Sequence, residues 1–294
     1  MKIGFTLKPN DGDIISLEEQ ITKLEKIGAE SAEIPLYELD VICGKEIIED
    51  EIKQLKKITK NSNLEFSVHG SMSVNFLQQE YLEEHKKVLE KEIEVCSQIE
   101  SKILVTHFGY TTNKIFNQTN IYKDYLAKQN EIYHDLAIKA QSKNVTLCIE
   151  NIFPFTPSNY APLPSEVAEE INKIDHPFAK TTIDFSHGYI NSNFHKKDFL
   201  DEISKMAKNA KHLHVHDSFG RMKNMETYIF PEDITYGQGD IHLPLGWGDL
   251  PFDIIFSSLD LSKDIYFNFE LGLRYEKYYQ KNIELAKQLI SKIK

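Results

Sequence analysis

Eight short apolar runs, each followed by a longer amphipathic stretch, recur along the chain with no break in composition. They are KIGFTL (2–7), SAEIPL (31–36), NLEFSVH (63–69), KILVTH (102–107), NVTLCIE (144–150), AKTTID (179–184), a histidine-rich seventh from Lys211, and DIYFNFE (264–270). Their length, their β-branched and aromatic content and the turn residues that bound them mark them as strands. Between them, apolar residues recur at helical spacing over 16–27, 45–59, 76–99, 121–142, 165–174 and 199–208, with a short helix from Phe252 and a last one over 275–294. Ser16 and Glu19 have the spacing of a capping box at the first of these. Strand-then-helix units cover both faces of a parallel sheet, and eight in one chain close into a barrel. The rival is an open doubly wound sheet, which usually carries a glycine-rich phosphate turn after its first strand. Here that turn reads KPNDGD. The expectation is a single α/β domain over residues 1–294, a (β/α)8 TIM barrel.

Composition narrows the setting. No run approaches the ~18 apolar residues that a bilayer span requires, and MKIGFTLKPNDGD reads as a strand and turn, not as a signal peptide. A cytoplasmic location with no membrane partner is expected, and no obligate protein partner is evident. Cys43, Cys96 and Cys148 are far apart and form no C-x-x-C pair, so reduced thiols are expected. The net charge is −11, and only Arg221 and Arg274 among the 34 basic residues are arginines. That weighs against a broad nucleic-acid surface, although carboxylates gathered around bound cations would inflate the negative count.

The polar residues at the strand ends carry the chemistry. Active sites of such barrels lie where the strands end. Strand three ends in His69, strand four in His107, strand five in Glu150, strand six in Asp184 with His187 three residues on, and strand eight in Glu270. Strand seven reads KHLHVHDSFG, with His212, His214 and His216 projecting to one face while Leu213 and Val215 take the other. Asp240 and His242 follow in the next loop. Each residue alone has an ordinary structural use. Together they crowd carboxylates and imidazoles round one mouth, an arrangement that needs cations to neutralise it. A mixed His/Asp/Glu set without cysteine suits Zn2+, Mn2+ or Fe2+. His85, His134, His176 and His195 read as surface or connection residues, and His212 as an orienting or packing residue. Tyr189 and Arg274 lie just past strands six and eight and are candidates for touching a substrate.

Laid out in order, the motifs SVHGSMSVNFL, LVTHFG, CIEN, TIDFSHG, HVHD, DIHLPLGWG and NFELG resemble those of the xylose isomerase-like barrel superfamily, and within it the endonuclease IV type. The resemblance implies up to three zinc ions. By position, His69, His107 and Glu150 would hold one. Glu150 would bridge to a second, also held by Asp184, His214 and Glu270. His187, Asp240 and His242 would hold the third. His216 stands where the family has asparagine, which makes it a candidate to stand behind a ligand or to contact substrate. The loop after strand two, YELDVICGK, lacks the arginine that DNA-repair relatives push into the duplex, and the segment after Glu150 departs from the family's small, glycine-containing run.

The leading expectation from this resemblance is a multinuclear, zinc-dependent phosphoesterase, with Glu150 and Glu270 catalytic and His216 and Arg274 on the substrate. Its substrate would be an abasic-site nucleic acid or a smaller phosphorylated sugar or nucleotide. Such a cluster acidifies a bound water from ~15.7 toward ~7 and neutralises phosphate charge. The first alternative is a one-metal sugar or sugar-phosphate isomerase or epimerase, needing only Glu150, Asp184, His214 and Glu270, with the two glutamates as its acid/base pair. The second is a metal-containing barrel that binds without catalysis.

Overall fold

The computed structural model describes residues 1–293 and contains the eight strands in the expected places. They are β1 (Lys2–Thr6), β2 (Ser31–Pro35), β3 (Glu65–His69), β4 (Ile103–His107), β5 (Thr146–Glu150), β6 (Ala179–Asp184), β7 (Ala210–Val215) and β8 (Tyr266–Phe269). Neighbours pair in parallel in chain order, and β1 pairs with both β2 and β8, so the sheet closes on itself. Around it lie α1 (Ser16–Lys26), α2 (Glu49–Lys60), α3 (Leu82–Gln98), α4 (Thr119–Ser142), α5 (Pro164–Ile174), α6 (Phe185–Phe194), α7 (Phe199–Ala207), α8 (Phe252–Ser258) and α9 (Tyr279–Ile290). The protein is a (β/α)8 TIM barrel. No helix among the described residues is long and apolar enough to cross a membrane.

Burial explains why these segments take these forms. Every residue of β4 is buried, as a strand covered on both faces must be. In α2, Ile52, Leu55, Ile58 and Thr59 face the barrel while charged residues fill the other side. Several boundaries differ from the periodicity. The helix expected from residue 45 starts at Glu49, because Ile42–Cys43 and Glu46–Ile47 form a small hairpin. The helix expected from residue 76 becomes regular only at Leu82. Ser16 does not cap α1: its hydroxyl accepts from the Asn10 amide and donates to the Asp13 carbonyl. The last helix ends at Ile290, and Lys294, included in the expected span, lies outside the described residues.

Register sets the level of the strand ends. His107 pairs with Glu150, and Asp184 with His214. The second pairing depends on an irregularity between Thr181 and Thr182, where the register shifts by one residue. Thr181 pairs with Ala210, so an unshifted ladder would place Asp184 beside Leu213. A one-residue slip exchanges the two faces of a strand, so the shift is what turns His214 to the same side as Asp184. At the other side of the ring, Gly4 lets β1 approach β2. A Cβ at Gly4 would fall 2.6 Å from the Ser31 carbonyl carbon and closer still to its oxygen. Backbone cannot move aside there as a flexible side chain would. Gly4→Ala is therefore expected to destabilise the fold by about 1–3 kcal/mol or more, measured by urea denaturation. A variant as stable as the wild type would contradict this packing.

Candidate metal and active site

The expected residues meet at the carboxyl-terminal mouth. His69, His107, Glu150 and Asp184 close β3 to β6, His214 lies in β7, and Glu270 follows β8. His187 is in the first turn of α6, whose N-terminus Asp184 caps by accepting from the His187 amide (2.7 Å). Asp240 and His242 come from the connection between β7 and α8.

Glu150 is the centre of the set. One of its oxygens lies 3.1 Å from His187 Nδ1 and 3.2 Å from His214 Nδ1; the other is 3.4 Å from His69 Nε2 and 3.7 Å from His107 Nε2. Yet neither buried oxygen has a hydrogen-bond partner, and neither has His214 Nδ1. His214 Nδ1 also lies 3.4 Å from Glu270 and 3.8 Å from Asp184. Three carboxylates thus converge on one imidazole nitrogen. Asp240 accepts from His187 Nε2 (3.2 Å) and His242 Nε2 (2.7 Å).

The rear nitrogens show how the rings are aimed. His69 Nδ1 donates to the Gly70 carbonyl (2.8 Å), His187 Nδ1 to that of Asn151 (3.1 Å), and His242 Nδ1 to that of Glu270 (2.7 Å). A carbonyl only accepts, so each of these nitrogens carries the proton. In His69 and His242 the opposite nitrogen, Nε2, faces the cluster, whereas His187 Nδ1 is shared between the Asn151 carbonyl and Glu150 while its Nε2 faces Asp240. Metal-binding histidines are held in this way. Buried groups able to hold a cation include His69, His107 and Glu150 together, and Glu150, Asp184 and His187 together. The orphaned oxygens, the aimed rings and a thiol-free set of N and O donors fit a divalent transition metal.

Charge in the site follows the geometry. Burial pushes the Glu150 carboxyl up, but His214 foremost and the other imidazoles hold it well below the carboxylate range. Burial lowers His214, yet Glu270 and Glu150 lift it well above an ordinary imidazole. His242 is likewise lowered by burial and raised by Asp240, to about 9. His107 is pushed down to about 4 by burial.

Above the cluster opens a cleft of about 470 Å3 walled by Tyr37, Met72, Phe153, Phe155 and Phe230, with Lys8 and Arg274 at its rim. Arg274 lies over the Phe230 ring, 5.4 Å from its centroid. His216 is not part of the cleft wall. It is fully buried, donates to Asp184 (3.1 Å) and stacks on His242. Tyr189 packs against Phe199 and is likewise absent from the cleft wall. The Gly246-Trp247-Gly248 turn is loop architecture, its glycine amides donating to Asp217. The sequence reading missed Glu33 and Asn268, which lie beneath the cluster, and the aromatic wall. The signal for Glu33 was a lone carboxylate in the otherwise uncharged β2 run SAEIP.

Residues 21–291 match the family described as xylose isomerase-like TIM barrel. No curated protein sequence matches the chain. Among solved structures, D-psicose 3-epimerase with D-tagatose from Clostridium cellulolyticum H10 is 15% identical with a TM-score of 0.73, over 99% of this chain and 99% of that one. The 3-keto-D-glucoside 4-epimerase of E. coli is 13% identical with a TM-score of 0.66, over 98% and 99%. A Thermus thermophilus protein soaked with ZnCl2 is 15% identical with a TM-score of 0.68, over 100% of each chain. At these identities the likeness is one of fold.

A cation ligated by His214 or His242 must displace the proton each ring holds. Divalent-metal affinity should therefore rise as the pH goes from about 6.5 to 9, because raising the pH removes the competing proton. Calorimetric titration across that range checks it, and a flat profile would contradict the arrangement.

Proposed function

The chain belongs to the xylose isomerase-like TIM barrel family, and on that premise we propose that it is a divalent-metal-dependent sugar epimerase or isomerase. The observation that carries this reading is the convergence of Glu150, Asp184 and Glu270 on His214 Nδ1, at 3.2, 3.8 and 3.4 Å. Those four residues would hold the metal, with Mn2+, Fe2+ and Zn2+ as the candidates. When bound, the metal would polarise a carbonyl and the hydroxyl on the adjacent carbon, which acidifies the hydrogen on that hydroxyl-bearing carbon. The epimerases among the structural neighbours favour this reading over the phosphoesterase that led the sequence expectations.

The chain's own groups supply the rest. Glu150 ends β5 and Glu270 directly follows β8, with β6 and β7 between them. They would address a substrate from two sides, one removing a proton from carbon and the other returning one to the opposite face. Tyr37, Phe153 and Phe155 offer rings on which the C–H face of a sugar can lie and keep bulk water from the reacting carbon.

A specific observation favours a second reading. His187, Asp240 and His242 also come together, with Asp240 Oδ2 within 3.2 Å of one ring and 2.7 Å of the other. That is the set the endonuclease IV resemblance assigns to a third metal, so a multinuclear phosphoesterase acting on a sugar phosphate, nucleotide or abasic site remains the alternative. Elemental analysis and turnover separate the two. Epimerisation predicts inversion of free or phosphorylated ketoses with one solvent deuterium entering at the inverted carbon in D2O. It also predicts a loss of about 10²–10⁴ in kcat in metal-loaded Glu150→Gln and Glu270→Gln. Phosphate release with about three metals per chain, and no deuterium incorporation, would replace this reading with the hydrolase.

A further inference from the structure

Below the cluster, inside the barrel, lies a second polar group that the proposed reaction does not use. Glu33, in the middle of β2, is fully buried. Its Oε1 accepts from Thr6 Oγ1 of β1 (2.9 Å) and Asn268 Nδ2 of β8 (3.0 Å). Its Oε2 lies 3.1 Å from His214 Nε2 and 3.3 Å from His212 Nε2, both from β7. One carboxylate is therefore fixed from three strands and presents its remaining acceptor to the rear of the imidazole on which the other three carboxylates converge.

We propose that Glu33 is a positioning residue: by accepting the Nε2 proton of His214 it fixes that ring's tautomer and turns Nδ1 toward Glu150, Asp184 and Glu270. Of the three histidines of β7 and its end, His214 is the one whose Nδ1 lies among Glu150, Asp184 and Glu270. His212 Nε2, two residues deeper along the strand, is occupied by Glu33 and by Ser67 Oγ (3.2 Å). His216 Nε2 is occupied by Asp184. Glu33 does for His214 what backbone carbonyls do for His69 and His242, and a carboxylate in that place raises the basicity of the ligating nitrogen as well as orienting the ring. This inference rests on the functional reading, in which His214 holds the metal.

The chemistry of Glu33→Gln makes a sharp test. Both ends of Glu33 accept hydrogen bonds, whereas an amide accepts at one end and donates at the other. With its oxygen toward Asn268 and Thr6, the Gln nitrogen would meet His214 Nε2 and favour the tautomer whose proton sits on Nδ1, which has no lone pair for a metal. With its oxygen toward His214, the amide would oppose the Asn268 donor and lose the carboxylate charge. Either outcome weakens the ligand.

The test uses the full chain, Mn2+ or Zn2+ affinity measured against a chromogenic chelator, and ¹⁵N NMR of the histidine side chains in the Zn2+-loaded protein. Glu33→Gln is expected to weaken metal binding about 10- to 100-fold. Ser67→Ala, which alters the same buried network only at His212, is expected to stay within about twofold of the wild type, a difference that general loosening of the core would not produce. In the wild type, His214 is expected to carry its proton on Nε2 with the metal on Nδ1. Should Glu33→Gln not fold, that wild-type tautomer decides alone, and a proton on Nδ1 overturns the proposal. Wild-type affinity in Glu33→Gln also overturns it and leaves the epimerase reading standing. A wild-type protein that binds neither ion overturns both.

Discussion

Four carboxylates, those of Glu150, Asp184 and Glu270, which are buried, and of Asp240, which is half-buried, are drawn together at the floor of the mouth, and such a gathering is unstable unless positive charge lies among them. In the protein alone that charge comes from imidazoles. Glu270 and Glu150 raise His214, and Asp184 and Asp240 raise His187, in both cases against burial. A divalent cation neutralises the same anions while leaving the imidazoles neutral and free to ligate. The two arrangements compete for the same lone pairs, which is why proton and metal are coupled in this site.

The rest of the architecture serves that gathering. The strands fix the floor of the cleft: β3 to β8 each contribute a side chain at or near the carboxyl end, and the shifted register between β6 and β7 brings Asp184 and His214 to the same face. The loops build the wall, with aromatic and apolar side chains above a polar floor. Rigid strands determine what chemistry is available, and loops determine what is admitted to it. Such a floor suits either of the two reaction classes weighed from the sequence. The choice between them turns on whether His187, Asp240 and His242 act as ligands or as partners in hydrogen bonds.

Much of this was legible in the sequence because the information was local. Strands buried on both faces read as apolar runs whose ends the structure moves by two residues or fewer, except at strand seven, which stops at Val215 and leaves His216 just beyond it. His69, His107, Glu150 and Asp184 were legible for the same reason, since each is the last residue of such a run. Where the information was tertiary, the sequence was mute. The helix Phe185–Phe194 has the sequence FSHGYINSNF, poor in helix formers, and is held by the Asp184 cap and by burial of most of its residues on all sides. The register shift beside Thr182 has no sequence mark. Glu33 looked like one charged residue in a strand, because nothing within β2 says that its side chain meets Thr6, Asn268 and two histidines from the far side of the ring.

The proposed chemistry requires one cation where the carboxylates converge. Crystals of the protein soaked in Mn2+ and measured at an energy where manganese scatters anomalously test that directly. The expected result is an anomalous peak within about 2.0–2.3 Å of donor atoms from Glu150, Asp184, His214 and Glu270. A map with no peak at those four side chains, or with its strongest peak on surface carboxylates, would contradict it.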